Sequence, residues 1–393
     1  MRITFFSNFL NHHQLSFCIE MYNLIGENFK FVATEPIHEE RLKMGYEDMS
    51  NMYPFSLNTY SNSENYLEGI KLGNESDVVI IGAAPDIFIK NRLIDNKLTF
   101  RYSERIFKKG QWRVLNPRNF VSLFFKHTQY RNKSLYMLCA SAYTACDFAL
   151  INAYKDKTYK WGYFPAVKEF DLDKLFLKKN NSVPKILWVG RLLKLKHPEH
   201  VIKLANELNK HGYNFTIDII GTGVMEEYIK NLINKYNLDD KVKIYGFMSP
   251  DMVREHMEAA NIYLFTSDYN EGWGAVLNES MNSGCAVVAS HAIGSVPFLI
   301  KHEENGLIYK NGNLQQLYEC VKKLLEDSSL CDKIGKAAYI TLSKVWNAKI
   351  AVDRIIKLSD SLLKGEKVYF KDGPCSKAKI IKQNVMYTYI TRK

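Results

Sequence analysis

Two doubly wound parallel α/β units are the fold class this sequence predicts, on three observations. From Lys185 onward, short apolar runs alternate with segments of helical period. The first half carries its own set of candidate strands and reads as a second unit. The 393 residues are long enough for two such units with full cores.

In the first half, Arg2–Phe6, Phe29–Ala33, Val78–Gly82, Leu98–Tyr102 and Asp147–Ile151 are the candidate strands. Residues 1–165 form the first Rossmann-like domain, and 166–183 join it to the next, inside a mixed segment bracketed by Pro165 and Pro184. The second domain, 184–345, alternates cleanly. Lys185–Val189 is a strand, and Pro198–Lys210 a helix with Val201, Leu204, Ala205 and Leu208 on one face. The strand Phe215–Ile220 and the helix Met225–Tyr236 follow, then the strand Val242–Gly246. Ser249-Pro250-Asp251 is a helix start, with a cap residue, a first-turn proline and an early acid. That helix runs to Ala260 and leads to the strand Ile262–Phe265, a helix from about Ala275 and the strand Ala286–Ala289. Residues 346–364 read as a further helix and 365–393 as a basic tail, either a disordered end or a second contact with membrane or an acidic acceptor. In sheets of this kind ligands bind at the carboxyl ends of the strands.

Composition narrows the class. The hydrophobic fraction of 46% is ordinary for a globular protein, and no run of 18 apolar residues is present. The first residues read as a core strand rather than a leader. Seven scattered cysteines without a Cys-x-x-Cys pair suggest free thiols in a reducing compartment and no zinc site. A cytoplasmic location follows. The net charge of +11 is uneven: Arg101 to Lys133 holds nine basic residues against one acid, Glu104, with aromatic residues interleaved. Such a segment suits an anionic membrane surface, which would make the protein peripheral at the inner face, and equally suits a solvated basic face over a core. No nucleic-acid-binding motif accompanies the charge.

The chemistry concentrates around Glu271 and Glu279 in Asp-Tyr-Asn-Glu-Gly-Trp-Gly-Ala-Val-Leu-Asn-Glu-Ser. The stretch follows a strand and enters a helix, so backbone N–H groups at the helix start can meet a phosphate. Gly272 and Gly274 flank Trp273, as they would where backbone approaches a ligand closely. Leu277 and Met281 should pack on the sheet, with Glu279 off that face. Two carboxylates around an anion site fit a nucleotide sugar. This stretch resembles the signature of the retaining glycosyltransferases of family 4, over roughly residues 184–364. The resemblance implies the GT-B fold, two facing Rossmann-like domains with an interdomain cleft. It also implies transfer of a sugar, with UDP-sugars favoured, to a hydroxyl of a saccharide or lipid-linked acceptor with retention, without an essential metal or other cofactor.

The same resemblance assigns roles. Glu279 would bind ribose hydroxyls and Glu271 face the donor sugar, while the backbone of Gly272, Trp273, Gly274, Ala275, Val276 and Leu277 would hold sugar hydroxyls and phosphate. Gly190-Arg191 ends the first strand of the second domain and Lys196 follows. Arg191 and Lys196 would neutralise the leaving diphosphate. Gly221 and Gly223 make a Gly-x-Gly turn near the nucleotide, too short for a dinucleotide fingerprint. Phe247 and Met248 would lie by the base. After the first strand, where relatives carry a Gly-rich loop, this chain has Asn8 to Gln14 with His12 and His13. The family's first-domain histidine is therefore either replaced by Glu104 or supplied by His12 and His13. Asp171-Leu172-Asp173 mimics a metal-binding Asp-x-Asp but falls in the join between domains. A sugar-nucleotide epimerase and a non-catalytic glycan- or membrane-binding subunit are the competing readings.

Overall fold

The computed structural model describes residues 1–39, 42 and 47–392; Lys393, the last residue of the basic tail, lies outside them. The chain divides into two compact units, Met1–Ala166 with Trp346–Lys382 and Val167–Val345 with Gln383–Lys393.

Unit 1 is built on a seven-stranded sheet of β1 (Ile3–Ser7), β2 (Phe29–Ala33), β3 (Ser56–Asn58), β4 (Val78–Ile81), β5 (Thr99–Ser103), β6 (Leu135–Cys139) and β7 (Thr158–Lys160). Their order is β3-β2-β1-β4-β5-β6-β7, and every pairing is parallel. Every residue of β1 and β4 is buried, as both faces of a central parallel sheet require, with Thr4 of β1 satisfied by the Ser76 hydroxyl (2.7 Å). One expected strand is overturned. Asp147–Ile151 is not a strand; Thr144–Ala149 is a helix, and the strand is β6 upstream. A short apolar run such as Phe148–Ile151 does not distinguish the two by period. The buried Asp147 carboxylate decides it, because it accepts from the Phe107 N–H (3.0 Å), from Gln111 Nε2 (3.0 Å) and from the Arg105 guanidinium (3.3 Å).

The basic tail is not a loose end where it passes β7. Cys375 N–H donates to the Lys160 carbonyl (2.8 Å), Lys160 N–H to Ser376 (2.7 Å) and Ala378 N–H to Thr158 (3.1 Å). These bonds cover an otherwise open sheet edge. Lys377 lies over the Tyr159 ring, 4.1 Å from its centroid. The helix Ala348–Lys364, capped by Asn347 accepting from Ile350 N–H (2.9 Å), packs on the helix His12–Ile25.

Unit 2 has a six-stranded sheet of β8 (Lys185–Val189), β9 (Thr216–Ile220), β10 (Val242–Gly246), β11 (Ile262–Phe265), β12 (Ala286–Ser290) and β13 (Leu307–Tyr309), ordered β10-β9-β8-β11-β12-β13 and parallel throughout. The helix Pro198–Lys210 buries the apolar face read from its period. Ser249 caps the helix Pro250–Ala259. Asp171 is a cap too: its Oδ1 accepts from Asp173 N–H (3.1 Å) and Lys174 N–H (3.3 Å), opening the helix Leu172–Lys178. Strand order reverses between β8 and β11, so the loops after these two strands diverge and leave a crevice at their carboxyl ends. All seven cysteines are free thiols, six of them buried.

Candidate functional site

The strand ends of unit 2 are drawn together by backbone. Gly190 N–H donates to the Ile220 carbonyl (3.0 Å), Leu192 N–H to Thr222 (2.8 Å) and Gly221 N–H to Gly246 (2.7 Å). Gly221 sits at φ +135°, and a Cβ there would fall 1.9 Å from the Gly190 oxygen; one at Gly223 would fall 2.5 Å from the Leu192 oxygen. Both turns therefore need glycine for chain packing alone. Beyond them the Phe247 ring is 64% exposed, unusual for so large an apolar group, and Met248 is half-buried.

Lys196 closes a short 3-10 turn, Lys194–Lys196, after β8. Its carbonyl accepts from Thr266 Oγ1 (2.6 Å), which in turn accepts from the buried Trp188 Nε1 (2.9 Å). This clamp aims the side chain along the ends of β8 and β11. There Lys196 Nζ forms an ion pair with Glu271 Oε2, and Ser267 Oγ donates to the same oxygen (3.0 Å). The two side chains are only 15% and 13% exposed, so the pair is far less screened than a surface salt bridge. An ammonium has three donors, and Glu271 occupies one of them. Arg191, one residue past Gly190, is exposed and has no ion-pair partner among the described residues.

Gly274 (φ +79°) lets the next loop fold tightly; a Cβ would lie 2.5 Å from the Phe265 ring and 3.4 Å from Glu271 Cγ. The helix after it is Val276–Asn282, with Leu277 and Met281 fully buried. Trp273 is also fully buried, its Nε1 donating to Asn278 Oδ1 (2.9 Å). The side chains of Trp273 and Leu277 thus belong to the core, leaving only backbone at those positions to meet a ligand. The N–H groups of Gly274, Ala275 and Val276 donate to no group among the described residues. Glu279 lies about one turn on, half-buried; burial pushes its carboxyl above the usual range, and the Arg254 charge pulls it back. Arg254 donates to the Glu279 carbonyl (2.9 Å) and to Asn282 Oδ1 (2.6 Å), holding this short helix in place. Neither Ser267 nor Arg254 was legible as part of the site. Arg254 reaches it only because the helix Pro250–Ala259 packs on Val276–Asn282.

His197 follows Lys196 in the left-handed region (φ 49°). Its ring nitrogens face Asp268 Oδ2 (3.4 Å) and Glu199 Oε1 (2.8 Å). Hydrogen bonds to Asp268 and Glu199 raise its pKa to about 9 against the desolvation of burial. The adjacent His200 is driven down to about 4, by burial and then by the His197 charge. His197, Glu199 and His200 form the single group among the described residues whose His, Cys, Asp and Glu ligand atoms cluster as a metal site would need, all within 4.8 Å. His197 already supplies a positive charge there at neutral pH. Its contribution to stability is full below about pH 6.5, the unfolded value, and fades as pH climbs through about 9. His197→Asn, which tolerates the same backbone, should flatten that alkaline decline in a denaturation series run from pH 6 to 10.

In unit 1, His12 and His13 open the helix His12–Ile25 rather than lying in a loop; Asn11 caps it, accepting from His13 N–H (3.0 Å). The His13 ring stacks on Tyr163 (centroids 5.2 Å apart, 3° between planes), and Tyr163 OH donates to Glu104 Oε1 (2.8 Å). Glu104 also pairs with Lys108. Glu104 and the histidine pair, alternatives in the sequence, are therefore one cluster joined by a tyrosine that carried no signal of its own.

Residues 169–341 match the model of the family described as glycosyl transferases group 1. The matched segment covers less than half of the chain. It contains the unit 2 side chains of the candidate site described above. An alpha-D-kanosaminyltransferase of Streptomyces kanamyceticus is 29% identical over 172 residues, 44% of this chain and 44% of its own length. N-acetylgalactosamine-N,N'-diacetylbacillosaminyl-diphospho-undecaprenol 4-alpha-N-acetylgalactosaminyltransferase of Campylobacter jejuni is 32% identical over 170 residues, 43% of this chain and 45% of its own. The chain spans less than half the length of these curated relatives. Anabaena Alr3699/HepE, solved in complex with UDP, superposes with a TM-score of 0.65 at 16% identity, over 92% of this chain and all of that one. Its structural neighbours are GT-B glycosyltransferases, and the two parallel-sheet Rossmann-like units are of that fold.

Proposed function

We propose that this protein is a retaining glycosyltransferase that moves a hexosyl or N-acetylhexosaminyl group from a UDP-sugar to a hydroxyl of a saccharide or lipid-linked acceptor, in polysaccharide or glycolipid synthesis. The observation that carries the reading is the row of N–H groups at Gly274, Ala275 and Val276 beside the Lys196–Glu271 pair, at the strand-order reversal of unit 2. Amide donors and a desolvated cation suit a diphosphate, and acids on either side suit the hydroxyls of ribose and sugar. The UDP in the Anabaena neighbour and the diphospho-undecaprenol in the Campylobacter relative's name support this donor and acceptor chemistry.

In this reading Lys196, Arg191 and the loop amides stabilise charge developing on the departing diphosphate. Glu279 accepts from the ribose hydroxyls, Glu271 from the sugar, and the exposed Phe247 ring offers a surface to the base. The acceptor hydroxyl attacks from the side the diphosphate leaves, and a phosphate oxygen takes its proton. The C1–O bond to diphosphate breaks as the new glycosidic bond forms. Within unit 1, His12 and His13, grouped with Tyr163 and Glu104, are the side chains this reading offers to hydroxyls of a saccharide. No step uses a metal.

A melting screen of nucleotide sugars tests the donor class. A ligand at 100 times its Kd adds about 2.7 kcal/mol to the native state by mass action. UDP-sugars should raise the melting temperature while free sugars leave it unchanged. A panel in which no nucleotide sugar shifts it would remove the proposal.

A further inference from the structure

The helix Pro117–Lys126 of unit 1 has no buried residue. At 100° per residue, Phe120, Phe124, Val121 and Phe125 fall within one arc of about 140°. All four are exposed, as are Trp112 (68%) and Leu115 (81%) in the preceding segment. An amphipathic helix in a folded unit normally turns this face inward; here the inner side is Asn119, whose Nδ2 donates to the Arg113 carbonyl (3.1 Å), and the half-buried Leu123. The helix is nevertheless tethered. At its end His127 and Thr128 are buried, with His127 Nδ1 against Tyr154 OH (2.6 Å) and Thr128 Oγ1 donating to Ile151 O (2.8 Å). The apolar face is presented outward from a fixed base.

The surrounding charge says what covers it. Three of the nine basic residues between 101 and 133 are neutralised locally: Arg101 by Asp86 (2.8 Å), Arg105 by Asp147 (3.3 Å) and Lys108 by Glu104. The exposed Lys109, Arg118, Lys126 and Arg131 have no ion-pair partner among the described residues. On the same count Arg118 falls about 20° beyond Phe125, at the edge of the apolar arc, and the other three add exposed positive charge from the same segment; together they complement a surface that is anionic above and hydrocarbon below. A second copy of the chain would set these cations against their like, at a cost in repulsion.

We propose that this face docks the protein on an anionic lipid bilayer, with Phe120, Phe124, Phe125 and Trp112 entering the headgroup–acyl boundary, Arg118 at its edge on lipid phosphates and the remaining cations of the segment attracted to the anionic surface. The surface stands on unit 1 alone and is independent of the donor chemistry assigned to unit 2. No helix among the described residues is long and apolar enough to cross a membrane, so the docking is interfacial.

Trp112 gives a built-in probe, because the other four tryptophans, 161, 188, 273 and 346, are all buried. Vesicles of phosphatidylcholine with phosphatidylglycerol should shift its emission to the blue and carry the protein down on centrifugation. Pure phosphatidylcholine should do so weakly, and high salt should weaken the anionic case. Each basic residue near such a surface is worth roughly fivefold in partitioning, so Arg118→Glu with Lys126→Glu should weaken binding by at least about 25-fold. Phe124→Ser with Phe125→Ser should abolish the emission shift while leaving the melting temperature unchanged, since neither ring is buried. Three results would overturn the proposal: no co-sedimentation with anionic vesicles, binding indifferent to both double variants, or a concentration-dependent dimer that the phenylalanine variant dissociates. The last would assign the face to a second copy.

Discussion

Lys196→Ala should lower kcat for sugar transfer by about 100- to 1000-fold, the loss expected when one preorganised charge donor is removed from a developing anion. The KM for the donor should change less. In the proposed transfer the diphosphate would gain charge as the glycosidic bond breaks, and Lys196 would then hold the transition state better than the ground state. The same substitution leaves Glu271, 13% exposed, with Ser267 as its remaining partner, so a modest loss of melting temperature should accompany it. Steady-state kinetics with a UDP-sugar and a hydroxyl acceptor checks this. A variant that retains wild-type kcat would remove Lys196 from the chemistry and leave it a structural partner of Glu271.

The largest stability effect should fall in unit 1. Asp147 and Arg105 are 0% and 1% exposed, and the aspartate also takes the Phe107 N–H and the Gln111 amide. Asp147→Ala takes the carboxylate away from a buried guanidinium and two further donors. A broken buried pair of this kind costs about 3–5 kcal/mol. Urea denaturation followed by circular dichroism should show the midpoint falling by that equivalent with an unchanged slope. A loss below about 1 kcal/mol would mean that water reaches Arg105 and that the cluster does not organise this part of the unit.

The helix at Asp147 and the inward-turned charges of the basic segment escaped the sequence for one reason. Phe148–Ile151 looks like a strand because its apolar run is short, and only the carboxylate's three-dimensional partners make a helix of it. Likewise the charge of residues 101–133 is real as a count but overstated as a surface, since Arg101 and Arg105 turn inward onto Asp86 and Asp147. What was legible is what periodicity encodes. β8, β11 and β12 are largely apolar runs, β9 and β10 carry Asp218 and Lys243 among apolar residues, and the helix Pro198–Lys210 between β8 and β9 buries the apolar face read for it. β3, β7 and β13 span three residues each, too few to show a period. The loop at Gly272–Gly274 was visible through its glycines, while Lys196 and Glu271 lie 75 residues apart and meet only through the strand-order reversal. Tyr163 and Arg254 had no local pattern to announce them. Each acquires its place from packing between elements distant in sequence.

In the proposed reading unit 2 holds a diphosphate between loop amides and cations, with the carboxylate of Glu279 on the ribose. Calorimetric titration of UDP into the full chain tests it most directly, using wild type, Arg191→Ala and Glu279→Ala. Hydrogen bonds to charged groups contribute about 1.5–3 kcal/mol, so each substitution should weaken binding by about 10- to 150-fold without unfolding the protein. UDP affinity equal to wild type in both variants would contradict the account.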